Sequence, residues 1–172
     1  MKLFKLFASA LVVSVMSLFA IPVSAQGGWG SLALLKGQTR INCIFDYSDS
    51  VIQAKTEEQF SSEEPNWGLA QEEVAEKFYQ EFNNRVFKAN VPVAVGSFPE
   101  NDGYTLCIKP SNILRNGNFV GRVLLLDASG EILMDVPIKA KGGVFGSFWN
   151  LLGDGMKDAA KTVAYRYMDF AR

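Results

Sequence analysis

The chain has 172 residues, 17 basic and 18 acidic side chains, two cysteines and no histidine. A near-neutral balance provides no clustered positive surface of the kind nucleic acid binding needs. The lack of histidine removes the usual zinc and copper ligand together with every Ser-His or Cys-His nucleophile.

The first stretch, MKLFKLFASALVVSVMSLFAIPVSA (1–25), reads as a secretory signal peptide. Lys2 and Lys5 form its positive start and Leu6 to Ile21 its apolar run. Val23 and Ala25 are the small residues a signal peptidase reads, so cleavage is expected after Ala25. Pro22 breaks a helix before that point, which argues against an uncleaved membrane anchor. No cysteine stands at the junction to take a lipid. The mature protein is therefore expected to begin at Gln26, to be soluble, and to be periplasmic or secreted. Removing two lysines leaves it mildly acidic.

Residues 26–38 form a glycine-rich segment containing Trp29, and 39–172 are expected to form a single domain. TRINCIFDY (39–47) alternates as a half-buried strand, with Cys43 on the side of Ile41 and Phe45. Thr56 is placed to cap a short helical turn through EEQF, and Asn66 to cap a long helix over 67–89. Val74, Phe78, Phe82 and Val86 share one face of that helix. Eight glutamates and one lysine crowd residues 57–81, which reads as an acidic solvated face.

The period then changes to two. VPVAV is a short strand whose Pro92 suits an edge or a strand start. PENDGY is a turn, YTLCIKPSNIL a strand interrupted at Pro110, and NGN (116–118) a second turn. FVGRVLLLDA, DASGE and EILMDVPIKA complete a meander. Cys107 shares its face with Thr105 and Lys109. If both strands lie in one sheet, its thiol and that of Cys43 point to opposite sides, against a disulfide in an oxidising compartment. Helical spacing returns from about Gly155, with Met156, Ala159, Ala160, Val163, Tyr167 and Phe170 in one stripe. The expected fold is α+β: two layers, a mainly antiparallel sheet of four or five strands, and two helices on one face.

The run GGVFGSFWNLLGDG (142–155) tests several chemistries. It lacks the Gly-Lys-Ser/Thr of a phosphate loop, and a dinucleotide fold's glycine spacing is also missing. The glutamate pairs and Asn101–Asp102 supply neither a convergent carboxylate pair nor a full calcium loop. No GxSxG elbow is present. No catalytic residue, cofactor or metal is therefore expected. Phe145, Phe148, Trp149 and Leu152 have two readings. They close the open end of the core, or they form an interaction patch, with Trp67 as a second candidate. Peripheral membrane contact is not favoured, since the helix that follows carries acids as well as bases. Gly153 to Gly155 are read as a bend, with Asp154 capping the last helix.

Trp67 ahead of the long helix, YTLCI after a turn, GNFVG leading into a strand and the glycine-rich entry to GMKDAAKTVA form a set. Together they resemble small exported proteins of unknown function common in Bacteroidetes. The element order is also similar to envelope-assembly domains, including outer-membrane transport lipoproteins, from which this chain departs by lacking a lipidated cysteine. Neither likeness implies a catalytic site. The expected function is a non-enzymatic periplasmic or envelope interaction module that docks to an envelope protein. The alternative is a binder of a small apolar ligand or lipid between helices and sheet.

Overall fold

A computed structural model describes residues 28–100 and 103–171. The expected leader, and Asn101 and Asp102 of the PENDGY turn, lie outside the described residues.

Trp29–Leu35 wind into a 3-10 helix that buries Leu32 and Leu35 completely. The Ser31 hydroxyl donates to the Leu133 carbonyl, tying this segment to a strand far along the chain. The glycine-rich start is thus part of the core.

The first strand, β1 (Arg40–Phe45), buries Ile41 and Cys43. The chain breaks stride at 46–50 and resumes as β2 (Val51–Ile52), which turns back into β3 (Lys55–Thr56). Thr56 caps α1 (Glu57–Glu63) through a reciprocal capping box with Gln59, as its position predicts. The long helix α2 runs Trp67–Lys88, matching its expected start and ending one residue early. Asn66 occupies the cap position, but its side chain makes no capping bond. Then come β4 (Ala94–Gly96), β5 (Thr105–Ile113), β6 (Phe119–Leu126), β7 (Ile132–Ala140) and α3 (Phe148–Ala171).

The α+β class holds, but the sheet is mixed and has seven strands. Strand β1 lies between β4 and β5 and is parallel to both. Only β5–β6–β7, together with the small β2–β3 hairpin, is antiparallel. The expectation of a mainly antiparallel sheet fails because α2 is a crossover. A 22-residue helix spans roughly 33 Å, enough to return the chain to the starting end of β1 and lay β4 beside it in the same direction. The amide side chain of Asn83 on α2 then grips the β4 backbone. Its Nδ2 donates to the Val95 carbonyl at 2.9 Å, and the Val95 N–H donates to its Oδ1 at 2.8 Å. This occupies backbone groups that would otherwise form an open sheet edge.

Strands β1 and β2 share one side of β5, with the break between them opposite a register shift at Pro110 to Asn112. The buried Ser50 hydroxyl donates to the Pro110 carbonyl at 2.6 Å and satisfies the acceptor that the irregularity leaves. Lys109 bridges Asp46 at 2.8 Å and Asp49 at 2.6 Å across the same break. Partial burial pushes the Asp46 carboxyl up, but hydrogen bonds from Lys109 and Ser48 outweigh it and hold its pKa at about 2.

The inner sheet face, α2 and α3 form one core. Phe78 meets Phe45 edge to face at 5.4 Å and stacks with Phe82 at 6.4 Å, and Phe82 reaches Tyr167 of α3 at 6.0 Å. The Tyr79 hydroxyl donates to the Cys43 carbonyl at 2.8 Å. The expected α3 stripe is buried from Met156 through Tyr167, and Phe170 packs at its margin.

Candidate functional site: the strap between β7 and α3

Residues 141–147 join β7 to α3, and a set of close contacts fixes their base. The Lys141 N–H donates to Asp158 Oδ2 at 3.0 Å, and the Gly142 N–H to Asn118 Oδ1 at 2.7 Å. The Gly143 N–H donates to the Leu151 carbonyl at 3.2 Å. The strap thereby presses on the turn 116–118, which in turn presses on α3. A Cβ on Gly142 would strike the backbone of Asn116 and Gly117, and one on Gly155 would strike the Gly117 carbonyl. A Cβ on Gly117 would meet the backbone of Leu151 and Leu152. Three segments meet here through glycine because no side chain fits between them.

The glycines at 153 and 155 are therefore not a bend, which corrects the expected start of the last helix. The helix already begins at Phe148, and both glycines lie inside it. Gly153 faces the Lys77 side chain. Asp154 pairs with Lys157 instead of capping, while the Asn150 N–H donates to the Ser147 hydroxyl at the true start.

The structure divides the expected patch. Leu152 is fully buried and drops out of any docking surface. Phe148 and Trp149 are half-buried in an aromatic cluster with Tyr47, Phe60 and Trp67. Trp149 stacks on Trp67 at 5.8 Å and meets Phe60 at 6.1 Å, and Phe148 meets Phe60 at 5.7 Å. Trp67 is only 1% exposed, its indole N–H donating to Glu57 at 2.8 Å, so it is not a surface residue either. These side chains close the core where α1, α2 and α3 converge. Phe145 alone of the expected patch stands free, 89% exposed, next to Val144 at 81%.

The same end of the molecule carries more apolar surface. Leu114, at the head of the β5–β6 turn, and Val120 are exposed and line a cleft of about 350 Å³ with Ala140, Lys139, Lys141 and Asp158. Periodicity marks neither residue as a surface group: both sit in strand-like runs whose outward face cannot be told from the inward one without the register. The space between helices and sheet, by contrast, is filled by fully buried side chains, among them Phe78, Phe82, Ile108, Leu125 and Met134.

No metal-holding group of three or more acidic or cysteine side chains occurs among the described residues. Glu63 pairs with Lys55, and Glu57 is engaged by Trp67. The two cysteines are free and buried. Cys107 pairs in register with Ile44, the neighbour of Cys43, so the thiols point to opposite faces of adjacent strands. Burial raises both thiols, and the nearby Asp46 charge adds to this at Cys107, whose pKa reaches about 11. Neither is a thiolate nucleophile at neutral pH. A thiol reagent at pH 8 is expected to leave the native protein essentially unmodified and to label two sites per chain after denaturation. A native rate within about tenfold of the denatured rate would contradict this burial.

No protein-family model, no curated protein and no solved structure matches the chain. Among the described residues no helix is long and apolar enough to cross a membrane.

Proposed function

We propose that this protein is a non-enzymatic interaction module of the cell envelope that docks through the strap end of the domain. The observation that carries this reading is Val144–Phe145, two large apolar side chains projecting into solvent from a base that glycine packing holds fixed. Phe145 is the most exposed large apolar side chain among the described residues and stands directly beside Val144, so the pair offers a contiguous apolar tip on an ordered base, a feature suited to a contact surface. Export to the envelope, and the likeness to small exported proteins, belong to the same proposal and rest on the first 25 residues and the quoted motifs. The reading as a ligand binder between helices and sheet has less support, because side chains occupy that space.

A photocrosslinking residue at position 145 is expected to give a defined adduct with one envelope component. The same residue at Lys161, on the exposed face of α3, is expected to give none. Equal labelling at both positions, or none at either, would overturn the proposal.

A further inference from the structure

Resting on this reading of the strap end, we infer that the surface it docks on is an anionic phospholipid bilayer. Val144 and Phe145 enter the boundary between headgroups and acyl chains, with Arg115, Lys139 and Lys141 over the headgroups. The mixed charge of α3 argues against a membrane helix, but α3 does not form this surface. The strap tip and the β5–β6 turn do.

Shape favours lipid over a protein partner. The most exposed apolar groups are two adjacent side chains, Val144 and Phe145, and the base of their strap packs on the 116–118 turn, whose Asn118 lines the cleft with Leu114 and Val120. A stable protein interface covers roughly 800 Å² on each partner around a central buried cluster. Two side chains on a turn bury about half that or less. An interface that yields on all sides accepts a small wedge without needing a complementary socket.

Charge points the same way. Arg115, Lys139 and Lys141 are exposed, and among the described residues no ion pair engages them. Of the nearby acids, Asp154 is paired with Lys157, while Asp158 receives the Lys141 backbone N–H and keeps its charge, so three basic groups against one unpaired acid leave the cluster net positive. Each basic group close to an anionic leaflet multiplies affinity about fivefold, an effect that fades beyond a Debye length. The fixed base means the tip needs little further ordering on contact.

The test is flotation of the chain from Gln26, which contains every described element and omits the expected leader, with two kinds of vesicle. Vesicles of phosphatidylglycerol and phosphatidylethanolamine are expected to carry the protein at low salt, and vesicles of phosphatidylcholine alone are not. Phe145→Ser is expected to weaken partitioning at least tenfold. The double change Lys139→Gln, Lys141→Gln is expected to weaken it roughly 25-fold, and high salt, which also screens Arg115, is expected to weaken it at least as much. All three side chains are exposed, so unchanged melting temperatures confirm that the variants are folded. Equal flotation on both vesicle types, or variants that float like the parent, overturn the lipid assignment. If nothing floats but the crosslinked adduct at position 145 persists, the partner is a protein and the docking reading stands. If both fail, both readings fall.

Discussion

Trp67→Ala is expected to lower the melting temperature by roughly 8–15 °C. A buried Trp or Phe cut to alanine costs about 3–5 kcal/mol, and a domain of this size loses about 2–4 °C per kcal/mol. Trp67 justifies the upper part of that range because its ring joins separate segments. It meets Tyr47 of the β1–β2 break at 5.1 Å, Phe60 of α1 at 5.3 Å and Trp149 of α3 at 5.8 Å. Its loss also strips Glu57 of the indole donor. Trp67→Phe keeps most of the volume and is expected to cost about 1–2 kcal/mol, mainly the hydrogen bond and part of the stack. Urea denaturation of Trp67→Ala, Trp149→Ala and the double variant measures the coupling. The double variant is expected to fall short of additivity by about 1 kcal/mol or more, since the two rings share one contact surface. Full additivity, or a single-variant cost under about 1 kcal/mol, would show that the cluster does not hold the three helices together.

The cluster also bears on docking. Phe148 follows the exposed tip by three residues, and its ring contacts with Phe60 and Trp149 anchor the chain immediately after the strap. A cavity at Trp67 is therefore expected to loosen the tip as well as the core. For that reason the functional tests rest on Phe145, whose removal leaves the cluster intact.

What could be read from the sequence was whatever local periodicity determines. The stripe of Val74, Phe78, Phe82 and Val86 has a single helical solution, and Thr56 with Gln59 is a local capping pair. The opposed faces of Cys43 and Cys107 followed from strand alternation once both strands shared a sheet. Strand direction is not local. Nothing in VPVAV distinguishes a hairpin return from the end of a crossover, and the outcome depends on α2 crossing over the sheet between β1 and β4. The β2–β3 hairpin escaped for another reason. Its turn residues, Gln53 and Ala54, both adopt left-handed backbone angles, at φ 52° and 67°. Such turns are ordinarily signalled by Asn or Gly, so a Gln-Ala turn gives no notice of itself. The candidate site was half legible. An aromatic strap was visible, but which rings face inward depends on Trp67 and Phe60, some 80 to 90 residues earlier in the chain.

The glycines around the strap were legible as glycines and misread in purpose, and a graded alanine series separates the two ways a glycine can be needed. Gly68→Ala sits on the exposed start of α2, with open space at the Cβ and ordinary angles, and is expected to be neutral or stabilising by about 0.5 kcal/mol. Gly130→Ala also has open space, but its φ of +83° is left-handed, so a cost of about 1 kcal/mol is expected. Gly155→Ala reverses the case. Its helical backbone suits alanine, yet the new methyl would enter the Gly117 carbonyl, and displacing packed backbone costs roughly 2–3 kcal/mol. Gly117→Ala combines a φ of +75° with collision against Leu151, and is expected to lose about 3–4 kcal/mol or to fail to fold. Equilibrium unfolding ranks the four directly. If Gly155→Ala matched Gly68→Ala, α3 would not lie against the 116–118 turn as closely as the contacts require. The strap would then lack its fixed base, and Phe145 would be the tip of a loose loop instead of a preset wedge.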